Sequence, residues 1–234
     1  VDYQQACQWQ RHYLAERSAG RCGDTLLLLE HPPTITLGRA AHRQHILLPA
    51  AELARRGVAL VESDRGGDVT YHAPGQLVGY PILKLVHYGI RVVDYVRNLE
   101  EVLIRTLATY EIMAERVAGL TGVWAYHPRR PTDPPAKVAA IGVKFSASGI
   151  TSHGFALNIA PDMRGFNLIV PCGITERGVT SLEMLLGYAP TRNEVTERLV
   201  RCFAQVFGIA SIETVTVTET DRMETANQQT YEAP

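Results

Sequence analysis

The sequence predicts an α+β fold, a mixed or mostly antiparallel sheet packed with helices. Three observations point there: short β-like runs broken by Pro and Gly fill the middle of the chain, amphipathic segments step by three or four residues, and no repeat or low-complexity linker divides the 234 residues. With 46% hydrophobic and 20% charged residues and a net charge of −1, the chain has apolar material for a full core. That composition excludes wholesale disorder and a strongly basic nucleic-acid binder. Residues 1–217 read as one domain and 218–234 as a polar, flexible tail.

Taken in order, Ala6, Trp9 and Tyr13 recur at helical spacing in a first helix ending near Gly20, and Gly23 opens the apolar run Leu26-Leu27-Leu28-Leu29, suited to a buried strand. Strands are expected at 34–37, 58–61, 69–71 and 77–83, with a helical turn at 51–56. From Val93, the positions Val96, Leu99, Leu103 and Leu107 mark the longest helix. After a Pro-rich loop at 127–135, strands at 137–145, 150–159 and 167–170 read as a consecutive antiparallel set, the first two joined by a turn at 146–149. Thr180 with Glu183 and Thr191 with Glu194 match the capping-box pattern, and the second helix buries Val195, Leu199, Cys202, Phe203 and Val206.

The early apolar run is far short of the roughly 18 residues a membrane span needs, so no bilayer crossing and a cytoplasmic location are expected. The chain begins at Val1 without Met, which leaves a leader open. Four cysteines without a C-x-x-C pair argue for reduced thiols rather than disulfides or zinc. His42 and His45 lack companions to complete a metal shell, and no metal is expected.

The densest chemical signal is Arg65-Gly66-Gly67-Asp68-Val69-Thr70-Tyr71-His72, continuing to Gln76. Adjacent glycines permit close ligand approach and expose amide donors; the same run is equally an ordinary hairpin turn. Cys172 is the second signal, following a β-like run with Pro171 before it and Gly173 after it. A thiol becomes a nucleophile when a base or positive charge favours thiolate, whereas Cys202 sits on an apolar helix stripe and Cys7 and Cys22 have no special setting. Lys137 and Lys144 compete as its partner. Strict alternation puts Lys137 with Ala139, Ile141, Val143 and Phe145, and Lys144 on the other face with Val138, Ala140 and Gly142. Lys137 then lies on the more apolar face, where desolvation would bring its pKa towards neutrality. His153 and His72, both in β-like segments near glycines, stay open as alternative bases.

Arg65–Gln76 taken with Leu26-Leu27-Leu28-Leu29-Glu30-His31-Pro32-Pro33-Thr34-Ile35-Thr36-Leu37-Gly38-Arg39, Lys137-Val138-Ala139-Ala140-Ile141-Gly142, His153-Gly154-Phe155-Ala156-Leu157-Asn158 and Pro171-Cys172-Gly173 closely resembles the lipoyl(octanoyl) transferase family. The blocks run in order from about residue 3 to about residue 186, which is far more specific than any one alone. The turn at 146–149 departs from the usual pattern by about one extra residue.

The resemblance implies the biotin and lipoate protein ligase fold. It implies transfer of an octanoyl group from acyl carrier protein to a lysine on lipoyl domains of 2-oxoacid dehydrogenase E2 subunits or of glycine-cleavage H protein, without cofactor; a monomer is expected. It further implies that Cys172 forms an acyl-thioester and that Lys137 lowers its pKa. Substrate contacts carry over onto Arg65, Gly66, Gly67, Asp68, Val69, Thr70, Tyr71, His72, Ala140, Ile141, Gly142, Gly154, Phe155 and Ala156, with His153 beside them. The competing readings are an ATP-dependent lipoate or biotin protein ligase on the same fold and a non-catalytic acyl- or lipoyl-domain-binding module. Against the first, Arg65-Gly66-Gly67 is followed by Asp68 rather than by further basic residues. Against the second, both Cys172 and Lys137 are present.

Overall fold

The computed structural model describes residues 1–130, 132–170 and 177–215. The strands form two sheets. The larger has six antiparallel strands in the order β1 (Thr25–Leu29), β5 (Gln76–Ile82), β9 (Thr151–Asn158), β8 (Ala136–Phe145), β7 (Leu120–Ala125) and β6 (Ala114–Val117). The smaller has the order β3 (Ala59–Glu62), β2 (Thr34–Leu37), β4 (Val69–His72), with β2 parallel to β3 and antiparallel to β4.

Alternation along the strands decides which side chain serves which layer. On one face of the large sheet, Leu77, Val123, Val138, Ala139, Phe155 and Leu157 form a single core with α3 (Val92–Ala108) and α5 (Arg192–Phe207). On the other face, Val78, Tyr80 and Ala156 join Leu29 and Ala6 of α1 (Tyr3–Ser18). The small sheet closes its own core, with Ile35, Val69 and Tyr71 packed against Leu53 of α2 (Ala50–Arg55).

Most expected elements are present within a residue or two, and α3 is the longest helix among the described residues. The four-leucine run forms an edge strand, half-buried: Leu26 and Leu28 lean on the α3/α5 core, Leu27 and Leu29 on the α1 side. The strand expected at 167–170 is instead a 3₁₀ turn, Met163–Leu168, followed by a lone bridge between Ile169 and Ile46. Phe166 packs edge-on against Tyr71 at 5.4 Å and Ile169 enters the small-sheet core, so burial against that core outweighs strand pairing. The hairpin β6–β7 was not anticipated, because Glu115 and Arg116 interrupt its apolar alternation. Its one sequence signal is Gly119, left-handed at φ +78° in the turn. α4 (Leu182–Leu186) is capped by Ser181, one residue later than expected, whereas Thr191 caps α5 as expected. In α5 it is Phe207 that completes the buried stripe, with Val206 only half-buried.

Between the sheets lies a cluster of buried imidazoles and phenols. His31 Nε2 is 2.7 Å from the Tyr80 hydroxyl, and His72 stacks on Tyr3 at 5.9 Å. Burial pushes His31 down to about 4 and His72, which also faces His31, down to about 3. Both are therefore neutral when folded, while the unfolded chain takes up protons below about 6.5. Their contribution is complete above pH 6.5 and is lost as pH falls towards 4. The midpoint of urea unfolding should drop across that interval, and His72→Gln should flatten the slope by on the order of 3 kcal/mol between pH 6.5 and 4. An unchanged slope in the variant would show that His72 is not held neutral.

Candidate active site

A groove runs between the two sheets. Its floor is made by β8 and β9, whose register sets Ala140 opposite Ala156 and Gly142 opposite Gly154. These four small residues face the groove, while Ile141 and Phe155 turn into the helix core. The β4 side is lined by Thr70 and His72, because Val69 and Tyr71 point into the small-sheet core. Tyr3, Val78 and Tyr80 complete the lining of a pocket enclosing about 450 Å³, open mouth included. Thr70, Ala140 and Ala156 are shared with a second hollow lined by Lys137, Asn158, Phe166 and Val179, so the groove continues towards Lys137.

The segment 65–68 forms the roof. Arg65 is buried, with a guanidinium that donates to the Thr36 carbonyl (2.8 Å) and hydroxyl, to the Gly66 carbonyl (3.0 Å) and to the Asp68 carbonyl (2.7 Å). Five forked donors suit it to gather several carbonyls of one loop. Gly66 donates to the Val143 carbonyl (2.9 Å), tying roof to floor, and Gly67 adopts φ +86°. Gly142 is required beneath: a Cβ there would stand 2.7 Å from the Gly66 carbonyl oxygen. The Asp68 carboxylate accepts from the His42 amide (3.0 Å) and contacts His45 Nδ1 (2.5 Å), fixing the loop's far side.

His72 is oriented by Gln76, whose Oε1 lies 2.7 Å from Nδ1, and Gln76 Nε2 donates in turn to Asn158 Oδ1 (2.9 Å). Nδ1 therefore carries the proton, and burial keeps the ring from a second one. His153, on β9, has Nε2 2.7 Å from the Asp64 carboxylate, which is also bound by Lys144. Burial lowers the His153 pKa against the opposing pull of Asp64. Burial would raise Asp64, but the bonds from Lys144 and His153 outweigh it and hold it at about 2.

Lys137 is buried, with Nζ 4.8 Å from the centre of the Trp124 ring, over which Arg177 also lies at 5.6 Å. Its backbone pairs with the chain at 178–180: Lys137 donates to the Gly178 carbonyl and Thr180 to the Lys137 carbonyl, both at 2.9 Å. The alternation used to separate the two lysines does not hold. Val123 faces Ala139 but Trp124 faces Lys137, so β8 carries one extra residue. That bulge places both Val138 and Ala139 in the core and returns Lys137 to the face of Ala140 and Gly142. Lys144 shares that face and differs by position, at the opposite end of β8 and bound to Asp64.

The structure thus gathers Arg65, Gly67, Asp68, Thr70, His72, 140–142 and 153–156 around one groove, whereas Val69 and Tyr71 belong to the small-sheet core and Gly66 ties roof to floor without lining the pocket. Cys172 lies outside the described residues. Tyr3, Gln10, Thr36, Asp64, Tyr80 and Trp124 were not singled out, and only topology brings them here. Among the described residues no group of three or more His, Cys, Asp and Glu is placed to hold a metal, and no helix is long and apolar enough to cross a membrane.

Comparison with known proteins bears on the fold and on the family. A lipoate protein ligase from Thermoplasma acidophilum superposes with a TM-score of 0.71 over 97% of this chain and 87% of its own, at 16% identity. A lipoate-protein ligase A structure bound with ATP gives 0.67 over 88% and 80%, again at 16% identity, so both speak to fold alone. In sequence, an octanoyltransferase of Chloroflexus aurantiacus is 60% identical over 89% of this chain and 91% of its own, and one from a Roseiflexus species is 51% identical over 92% and 88%. Residues 2–204 match the model of the lipoyl protein ligase A/B catalytic domain, and it is to this family that the chain belongs.

Proposed function

We propose that this chain is an octanoyltransferase, taking an octanoyl group from acyl carrier protein and delivering it to a lysine of a lipoyl domain. The acceptors are 2-oxoacid dehydrogenase E2 subunits and glycine-cleavage H protein, and the enzyme acts as a cytoplasmic monomer within a single domain. The observation that carries the reading is the groove: a narrow channel floored by Gly and Ala and ending at a buried lysine, in a chain 60% identical to an octanoyltransferase. An eight-carbon chain offers seven methylene or methyl groups at about 0.8 kcal/mol each, roughly 5 kcal/mol towards holding it.

In this reading the Cys172 thiolate attacks the carrier thioester carbonyl, the carrier thiol leaves, and the acyl group rests on Cys172 as a thioester. The acceptor amine then attacks, the amide forms, and the Cys172 thiolate is released. Lys137 takes the thiol proton before the first step, passes it to the departing carrier thiol, and accepts a proton from the attacking amine. Support comes from the backbone pairing of 178–180 with Lys137 and from Arg177, five positions after Cys172, sharing the Trp124 ring with that lysine. Exchange of one thioester for another and then for a more stable amide needs no nucleotide. Octanoyl transfer from carrier protein to an apo-lipoyl domain should therefore proceed at full rate without ATP. A product that appears only with free octanoate and ATP would instead identify a ligase.

A further inference from the structure

The groove has two ends. One is at Lys137. At the other, His153 lines the pocket, and its Nε2 contact with Asp64 joins the floor strand β9 to the segment leading directly into the Arg65–Asp68 roof. Lys144 of β8 binds the same carboxylate, so both floor strands are fastened to the roof at this point. His153 holds a left-handed backbone, φ +54°, in the middle of a strand, a conformation that a β-carbon disfavours and that persists only where the surroundings impose it. The surroundings are specific: its amide donates to Gln10 Oε1 of α1 at 2.6 Å, and its ring packs edge-on against Tyr80.

Resting on the octanoyl-transfer reading, we infer that His153, positioned by Asp64 and Gln10, is the end wall that limits the acyl chain to about eight carbons. The spacing supports it. His153 pairs with Val143, and allowing for the bulge, five strand steps from Lys137 at about 3.3 Å come to roughly 16 Å. Seven bonds of about 1.5 Å give an octanoyl chain at most ~10 Å. The difference, ~6 Å, is about what a lysine stem spans from Cα to Nζ. A longer chain would have to displace the ring and push methylenes against His153 Nδ1 and Gln10 Nε2. Both are buried polar atoms with no hydrogen-bond partner among the described residues, which makes an apolar neighbour unfavourable.

His153→Gly removes the ring and suits the left-handed backbone. The test is acylation of the full chain by octanoyl and dodecanoyl thioesters of a small thiol, followed by intact mass. The variant should raise the dodecanoyl-to-octanoyl rate ratio at least tenfold over wild type. Asp64→Ala, at an exposed side chain, should raise it several-fold, so the inference remains testable if the glycine variant folds poorly. Acylation with an unchanged ratio in both variants overturns the end wall and leaves the transfer reading standing. Wild-type protein that takes up no acyl group of either length overturns both.

Discussion

Replacing Lys137 with alanine should lower octanoyl transfer by about 10²–10⁴-fold, the range lost when a positioned proton carrier is removed, while Lys144→Ala stays within about threefold of wild type. The two lysines occupy one strand and, because of the bulge, one face, so the contrast isolates position. Lys137 is 6% exposed and fixed over Trp124; Lys144 forms an ion pair at 40% side-chain exposure, where such pairs contribute little. The loss at Lys137 should fall on kcat, with slower alkylation of Cys172 at neutral pH. Equal small effects of both substitutions would move the proton carrier to His72, since His153 lies at the other end of the groove.

Arg65→Ala should destabilise the protein by about 3 kcal/mol or more and lower transfer roughly 100-fold. The guanidinium is buried and its donors serve three main-chain carbonyls and the Thr36 hydroxyl, so truncation strands several acceptors at about 1–3 kcal/mol each. The activity loss follows from the roof: Gly67 and Asp68 line the pocket, and a misplacement of about 1 Å in a positioning element can cost a factor of 100. Arg65→Lys should rescue little, since one ammonium cannot reach carbonyls on both sides of the loop. Urea unfolding read beside the transfer rate checks both; normal stability with lost activity would assign Arg65 to the substrate instead.

Much of this site was legible in sequence because it is written in residue types that geometry constrains. The Gly and Ala at 140, 142, 154 and 156 alternate with Ile141 and Phe155, and that period places the small residues in the groove and the large ones in the core. Arg65-Gly66-Gly67 reads as a tight loop because a side chain at 67 would meet a left-handed backbone. The bulge in β8 was not legible: an extra residue leaves no mark in composition, and strict alternation assigned Lys137 to the face of Ala139 and Ile141 rather than to that of Ala140 and Gly142. Asp64, Gln10 and Tyr80 were equally hidden, since each is an ordinary polar or aromatic residue until α1 and β5 are folded against β9. The strand expected at 167–170 failed for a related reason, with Phe166 finding a partner in Tyr71 that local sequence does not show.

The central claim is that an octanoyl group rests on Cys172 before it reaches the acceptor. Intact-protein mass spectrometry after mixing the chain with octanoyl-acyl carrier protein, without ATP and without acceptor, tests it most directly. The account predicts a gain of one octanoyl mass, labile to hydroxylamine, mapped to Cys172 by peptide analysis and absent from Cys172→Ala. An adduct that survives in Cys172→Ala at Cys7, Cys22 or Cys202, or transfer that proceeds in that variant at the wild-type rate, would contradict it.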